Sequence, residues 1–290
     1  MIDIRRVFST TFAMLRQRGL MLVGMLVLFT VGQMILSTVL GGVMGASMAG
    51  AIFAASAIED PASLLGVGGG AFVIVALLSY VLFLLVTIAQ QAAMTALATP
   101  LSQPGFGDAL GAGFKSAPTL LATAVLLTVA ALVAGVVWIV LAAILSLAGD
   151  AGILANVLAV LMVFPLALYL ACRLAVLVPV VAVDGERGPI RAIRRSWAIT
   201  EGKVLGILVV FLLATVIMIV LGLVPFLLIF AGGAMAGSDS AVAGGIGVLL
   251  GSLLVLPVLA LIGIASAALS AALHAVIGDS AQQEIEEAFA

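Results

Sequence analysis

Six long apolar runs divide this chain, at 20–45, 71–98, 118–148, 153–179, 204–232 and 244–277. No other feature restricts the fold so strongly. Each run exceeds the ~20 residues a helix needs to cross ~30 Å of hydrocarbon. The apolar residues come in long blocks rather than in an amphipathic rhythm. Only 8% of residues are charged, against about 25% in soluble domains, so a water-soluble fold has too few charges to cover its surface. The reading is a single all-α integral membrane domain, 1–290, with six transmembrane helices and about three short interfacial amphipathic helices on the cytoplasmic side. The surplus length of the runs implies tilt, kinks or ends beyond the hydrocarbon. Pro165, Pro225 and Pro257 are candidate kinks.

The charges orient the weave. The connections 46–70, 149–152 and 233–243 hold Glu59, Asp60, Asp150 and Asp239 and no basic residue. The N-terminal segment, 99–117 and 180–203 hold ten of the eleven Lys and Arg. The eleventh, Arg173, lies near the end of span four that leads into a basic connection. Positive loops stay in the cytoplasm, so both termini are expected inside, as six spans require. The acidic tail, with Asp279, Glu284, Glu286 and Glu287, weighs little in this rule. Arg5, Arg6, Arg16 and Arg18 before the first run, and Ala54-Ala55-Ser56-Ala57 after it, have the look of a signal peptide. The run from Leu20 to Gly45 is too long for the usual 7–15-residue apolar core, so a retained span is expected.

The stretch GERGPIRAIRRSWAITEGK, Gly185 to Lys203, carries five of the basic residues. Gly188-Pro189 marks a helix start. Ile190, Ile193 and Trp197 then share one helical face, and Arg191, Arg194 and Arg195 lie off it. Such a helix suits a membrane surface, its Arg side chains meeting anionic inner-leaflet headgroups at ~1 kcal/mol each. A plain charged loop that stops translocation would serve topology alone, and the two readings are compatible. Gly105 to Phe114, GFGDALGAGF, aligns with Gly188 to Trp197 at the Gly, Ala109/Ala192, Leu110/Ile193 and Phe114/Trp197 positions. At the N-terminus Ile4, Phe8, Phe12 and Leu15 also share a face. The chain thus reads as three units of surface helix, span and span, at 3–98, 105–179 and 188–277.

The run Arg173 to Leu213 contains Arg173, Pro179 and Gly188, followed by an Ala-x-x-x-Ser-Trp-x-x-Thr-x-Gly core at Ala192, Ser196, Trp197, Thr200 and Gly202. It resembles the membrane-domain family named after glycerophosphoryl diester phosphodiesterases. That resemblance implies a multi-span bacterial inner-membrane domain, sometimes fused to a phosphodiesterase barrel. The barrel uses several His and carboxylates around a metal, and this chain has only His274. Phosphodiesterase activity is therefore not expected.

Polar residues within apolar runs are functional candidates because hydrocarbon penalises them. Gln90 and Gln91, Arg173 and His274 lie near the ends of spans two, four and six. Convergence of the units about one axis would bring them together, with Arg173 donating to Gln90 or to a lipid phosphate. Alternatively Arg173 snorkels to the interface. His274 reads as interfacial, and Asp279 and Glu284 as solvated. Gly41/Gly45, Gly202/Gly206 and Gly247/Gly251 permit close helix packing within the chain. Gly66 to Gly70, GVGGG, reads as a flexible outer connection.

Other chemistry is thinly supported. The single cysteine, Cys172, reads as a buried thiol and allows no internal disulfide. One His and one Cys make no zinc or iron–sulfur ligand set, and no cofactor is expected. No sustained basic face with stacking aromatics suggests nucleic acid. There is no Ser–His or paired-Asp arrangement and no His-Glu-x-x-His spacing. The expected function is a non-enzymatic scaffold or a domain that meets membrane lipids or a membrane-protein partner. The alternative is a small transporter or lipid-handling protein with a polar site near the cytoplasmic side. Asp and Glu are absent from the span cores, which weighs against ion-coupled transport.

Overall fold

The computed structural model describes residues 3–56, 61–147, 149–235 and 241–289, with the side chains of 51–69, 71, 150, 241 and 279–289 outside that description. Described residues form helices α1 (Ile4–Ser56), α2 (Pro61–Ala98), α3 (Phe106–Ser146), α4 (Asp150–Arg173), α5 (Leu177–Ala182), α6 (Pro189–Ile199), α7 (Val204–Met235) and α8 (Ala241–Phe289). Six of the segments are long and apolar enough to cross a membrane. They correspond one to one with the six runs read from the sequence.

Several boundaries differ from those expectations. The first two surface helices are not separate elements: residues near 4 and 106 open α1 and α3 themselves. No proline lies between Arg18 and the end of α1 at Ser56, and an isolated Gly19 costs a helix only about 1 kcal/mol, too little to end it. Pro118 lies within α3 without ending it. Only α6 stands alone, because Gly202 at φ 70 turns the chain after it. Helix α4 ends at Arg173, while the fourth membrane-spanning segment runs on through α5 to Ala182. A turn at 174–176 precedes α5, since Pro179 cannot donate to a continuing helix and fits the first turn of a new one. α2 begins at Pro61, so GVGGG lies inside its opening turns and is not a loop. Glu59, Asp60, Asp239 and Ala57 fall outside the described residues, as do the side chains of Ala54, Ala55, Ser56, Asp150, Asp279, Glu284, Glu286 and Glu287.

Continuity has a geometric consequence. At 1.5 Å per residue the 53 residues of α1 extend ~80 Å, far beyond the hydrocarbon thickness. The opening turns of α1 and α3 are accordingly used for packing at the basic end. Thr119, thirteen residues after Phe106, still reaches the 183–188 connection, its Oγ1 donating to the Arg187 carbonyl at 3.1 Å. One face of each opening segment is buried in the same register as α6. Val7 and Thr11, Ala109 and Gly113, Ala192 and Ser196 are all buried, and Phe12, Phe114 and Trp197, next in each series, are exposed.

The core also sits at this end. One buried cluster joins Val7, Leu120, Cys172, Val176, Val180, Ile207, Val210 and Leu273. A second joins Leu22, Met25, Phe29, Ala93, Met94, Ala109, Ala267 and Ala271. Towards the other end large apolar residues such as Leu132, Ile139, Leu161, Phe226 and Leu253 are exposed, as a lipid-facing surface requires. The α7–α8 hairpin is an exception. Gly232, Gly247 and Gly251 pack so closely that a Cβ on Gly251 would lie 2.6 Å from Ile229 Cγ1. Gly41 and Gly45 meet nothing within 4 Å, so of the Gly pairs read from the sequence Gly247/Gly251 has intrachain packing and Gly41/Gly45 does not.

Candidate functional site at the basic end

Arg173 ends α4, whose last carbonyls lack intrahelical partners. Ser196 Oγ donates to the Arg173 carbonyl at 2.8 Å, and Thr200 Oγ1 approaches it at 3.4 Å. The favour is returned. The Arg173 guanidinium donates through Nη1 to the Trp197 carbonyl at 3.0 Å, near the C-terminus of α6. Its Nε donates to Tyr169 Oη at 2.9 Å, and its charge lies 5.3 Å and 5.0 Å from the Tyr169 and Trp197 ring centres. Two helix ends thus cap each other. The Ala-x-x-x-Ser-Trp-x-x-Thr-x-Gly core supplies the other half of the clasp: Ala192, Ser196 and Thr200 face inward, and Gly202 turns the chain into α7.

The polar residues read from the sequence occupy three separate networks. Arg173 donates to the Trp197 carbonyl rather than to Gln90 and is buried beneath Tyr169 and Trp197. Gln90 accepts from Gln33 Nε2 at 3.0 Å, which also reaches Thr87 Oγ1 at 3.3 Å. Gln91 is exposed. His274 is buried in α8, its Nε2 3.4 Å from Asp184 Oδ2. Its Nδ1 has no partner among the described residues. α5, not Arg173, fills the position beside α2 and α8. This is because the chain leaves the α4 axis at residue 174 and Val176, Val180 and Val181 enter the core.

The 183–188 connection gathers the nearby charges. Arg195 Nε contacts Asp184 Oδ2 at 3.2 Å and Arg191 Nε contacts Glu186 Oε1 at 3.0 Å. Two of the three α6 arginines expected to face headgroups are therefore engaged by carboxylates, and Arg194 is exposed without such a bond among the described residues. Burial alone would raise the Asp184 pKa, but the His274 contact and the Arg195 charge outweigh it and hold the carboxyl below its ordinary value. Elsewhere Arg18 Nη1 donates to the carbonyls of Leu97 and Pro104, both at 3.1 Å, closing the α2–α3 turn. Lys203 Nζ donates to the Ile277 carbonyl at 3.2 Å, tying α7 to α8.

Sequence reasoning missed Tyr169, Gln33, Asp184 and Arg18 as partners. Tyr169 was findable, since it stands four residues before Arg173 on one helical face. Gln33 is a polar residue within span one. Asp184 and Arg18 act over long sequence separations, and nothing local marks them.

Two apolar clefts open beside the exposed aromatics of the opening segments. One, of about 210 Å³, lies between Phe8, Phe12 and Leu15 of α1 and Ile217, Met218 and Leu261 of the α7–α8 hairpin. The other, of about 530 Å³, lies between Leu110 and Phe114 of α3 and Leu28, Ile35 and Val86 of α1 and α2. At the corresponding place in α6, Trp197 meets Tyr169 edge to face at 6.1 Å with Arg173 beneath, and that position is filled by the chain itself.

These spans and this buried basic end define a polytopic α-helical membrane protein. Within it, residues 150–287 match the family model described as the membrane domain of glycerophosphoryl diester phosphodiesterase. No curated protein and no solved structure matches the chain.

Proposed function

We propose that this chain is a non-enzymatic domain of the bacterial inner membrane, with both termini cytoplasmic, that binds lipids between three repeated units. The units are α1–α2, α3–α5 and α6–α8, and the shared burial register of Val7/Thr11, Ala109/Gly113 and Ala192/Ser196 supports the repeat. One observation carries the lipid reading. Apolar clefts of acyl-chain character open under Phe12 and Phe114, at the end of the bundle where the basic residues collect. An acyl chain filling them removes apolar wall from contact with voids and restores dispersion contacts, and anionic headgroups gain from the neighbouring cations. The transporter alternative needs a polar path, and Arg173, its natural centre, is packed between two rings.

Lipids bearing a photoreactive group on the acyl chain test the reading. Crosslinks in reconstituted protein should concentrate on Phe8, Phe12, Ile217 and Met218 and on Phe114 and Leu28. Labelling spread evenly over the exposed faces of α4 and α7 would refute it.

A further inference from the structure

A second kind of cleft, of mixed polar and apolar lining that includes Ala112, Val181 and Ala182, lies between α3 and the 183–188 connection. It encloses about 140 Å³ and is lined by Lys115, Ser116, Thr119, Gly185, Glu186 and Arg187. One water needs only ~10–15 Å³ of such space, so there is room for a tetrahedral oxyanion. We propose that this cleft binds a phosphate group, presented by an anionic lipid or by free phosphate.

Charge argues for it first. The side chains of Lys115 and Arg187 make no ion pair or hydrogen bond among the described residues. Glu186, the one carboxylate in the lining, is already matched by Arg191 at 3.0 Å. Two cations thus face the space with their charge uncompensated. The donor set is the second argument. The Gly185 and Arg187 N–H groups enter no backbone hydrogen bond among the described residues. Ser116 Oγ is held only by a long 3.5 Å approach to the Val181 carbonyl, and the hydroxyl is free to turn. A planar guanidinium, an ammonium and a hydroxyl suit an acceptor with several oxygens, which phosphate offers and a single carboxylate does not. Thr119 plays a different part. Its hydroxyl is committed to the Arg187 carbonyl at 3.1 Å, which pins the connection over α3. Gly185 adopts φ 73, a conformation that side-chain-bearing residues rarely take, and leaves the space open.

Place is the third argument. Span four with its continuation ends at Ala182, so the cleft begins where hydrocarbon gives way to headgroups. The lipid reading above enters only as one source of the phosphate; the cleft is built from different residues.

The test uses full-length protein in nanodiscs of phosphatidylcholine doped with phosphatidic acid, with bound lipid read by native mass spectrometry. Lys115→Gln and Arg187→Gln should each lower phosphatidic acid retention about tenfold, the scale of one charge-assisted hydrogen bond. Arg5→Gln, which removes the same charge elsewhere at this end, should lower it at most about twofold. An unchanged melting temperature establishes that each variant is folded. Equal losses in all three variants, or none in Lys115→Gln and Arg187→Gln, would overturn the site. Phosphorus NMR of delipidated protein with inorganic phosphate identifies the source. Binding that Arg187→Gln abolishes supports free phosphate, and retention of phosphatidic acid alone supports the lipid. Acyl-chain crosslinking at Phe12 is unaffected by Arg187→Gln if both readings hold, so its loss in the wild type would sink the lipid reading and not this one.

Discussion

Replacing Arg173 with Ala should open the clasp between α4 and α6, and its neighbour Cys172 reports the opening. Arg173→Ala removes a charge-assisted hydrogen bond to the Trp197 carbonyl, a bond to Tyr169 Oη and two cation–π contacts. A hydrogen bond to a charged group contributes ~1.5–3 kcal/mol and a desolvated cation–π contact ~0.5–2 kcal/mol. The Ser196 bond to the Arg173 backbone survives the substitution. A loss of ~3 kcal/mol is therefore expected, about two decades in the opening equilibrium. Cys172 is 1% exposed and is the only thiol in the chain. Maleimide labelling in nanodiscs should follow the open population when closing is fast, so its rate should rise on the order of 100-fold. Arg173→Lys keeps the charge but not the planar fork and should fall between the two. A labelling rate within about twofold of the wild type in folded Arg173→Ala protein would show that the clasp does not hold these helices together.

Further outcomes are specific. Gly251→Val should destabilise the α7–α8 hairpin by about 1–3 kcal/mol, because its Cβ meets Ile229 Cγ1 and the Pro225 carbonyl, whereas Gly41→Ala should leave the melting temperature unchanged. The Asp184 pKa is lower in the folded protein than in the unfolded chain, so its contribution is present above the unfolded value, ~3.9, and fades as pH falls through the folded value. Thermal melts should therefore show wild type losing stability below about pH 4 and Asp184→Asn losing less over that window. Cysteines placed at 150 and 194 should label from opposite sides of the membrane in intact cells, and labelling from one side would refute the six-span weave.

Most of the membrane architecture was legible because hydrocarbon acts locally. A run of apolar residues announces its span without reference to any other part of the chain. The α6 start at Gly188-Pro189 and the buried Ala192–Ser196–Thr200 face were legible for a similar reason, as helix geometry follows from spacing. What could not be read were decisions between competing local options. Gly19 and Pro118 look like places to stop a helix, yet α1 and α3 run through them, because the opening turns are packed on Ala93, Leu273 and their neighbours and tertiary contact overrides the local cost. The expected meeting of Arg173, Gln90 and His274 failed for a related reason. Each found a partner supplied from a distant segment, Trp197, Gln33 and Asp184 respectively. Pairing over such separations leaves no periodic trace.

The concentration of the core at one end bears on how the protein feels the bilayer. The hairpins are fastened to one another chiefly through residues such as Val7, Ala93, Val176 and Leu273, while their far halves expose large apolar side chains such as Leu132, Ile139 and Leu161. A change in lateral pressure or bilayer thickness in the leaflet at the far end can then move hairpin tips at little cost in protein contacts, with the basic end acting as a fixed hub. Mechanical compliance of this sort would be a property of the leaflet, not of any single residue.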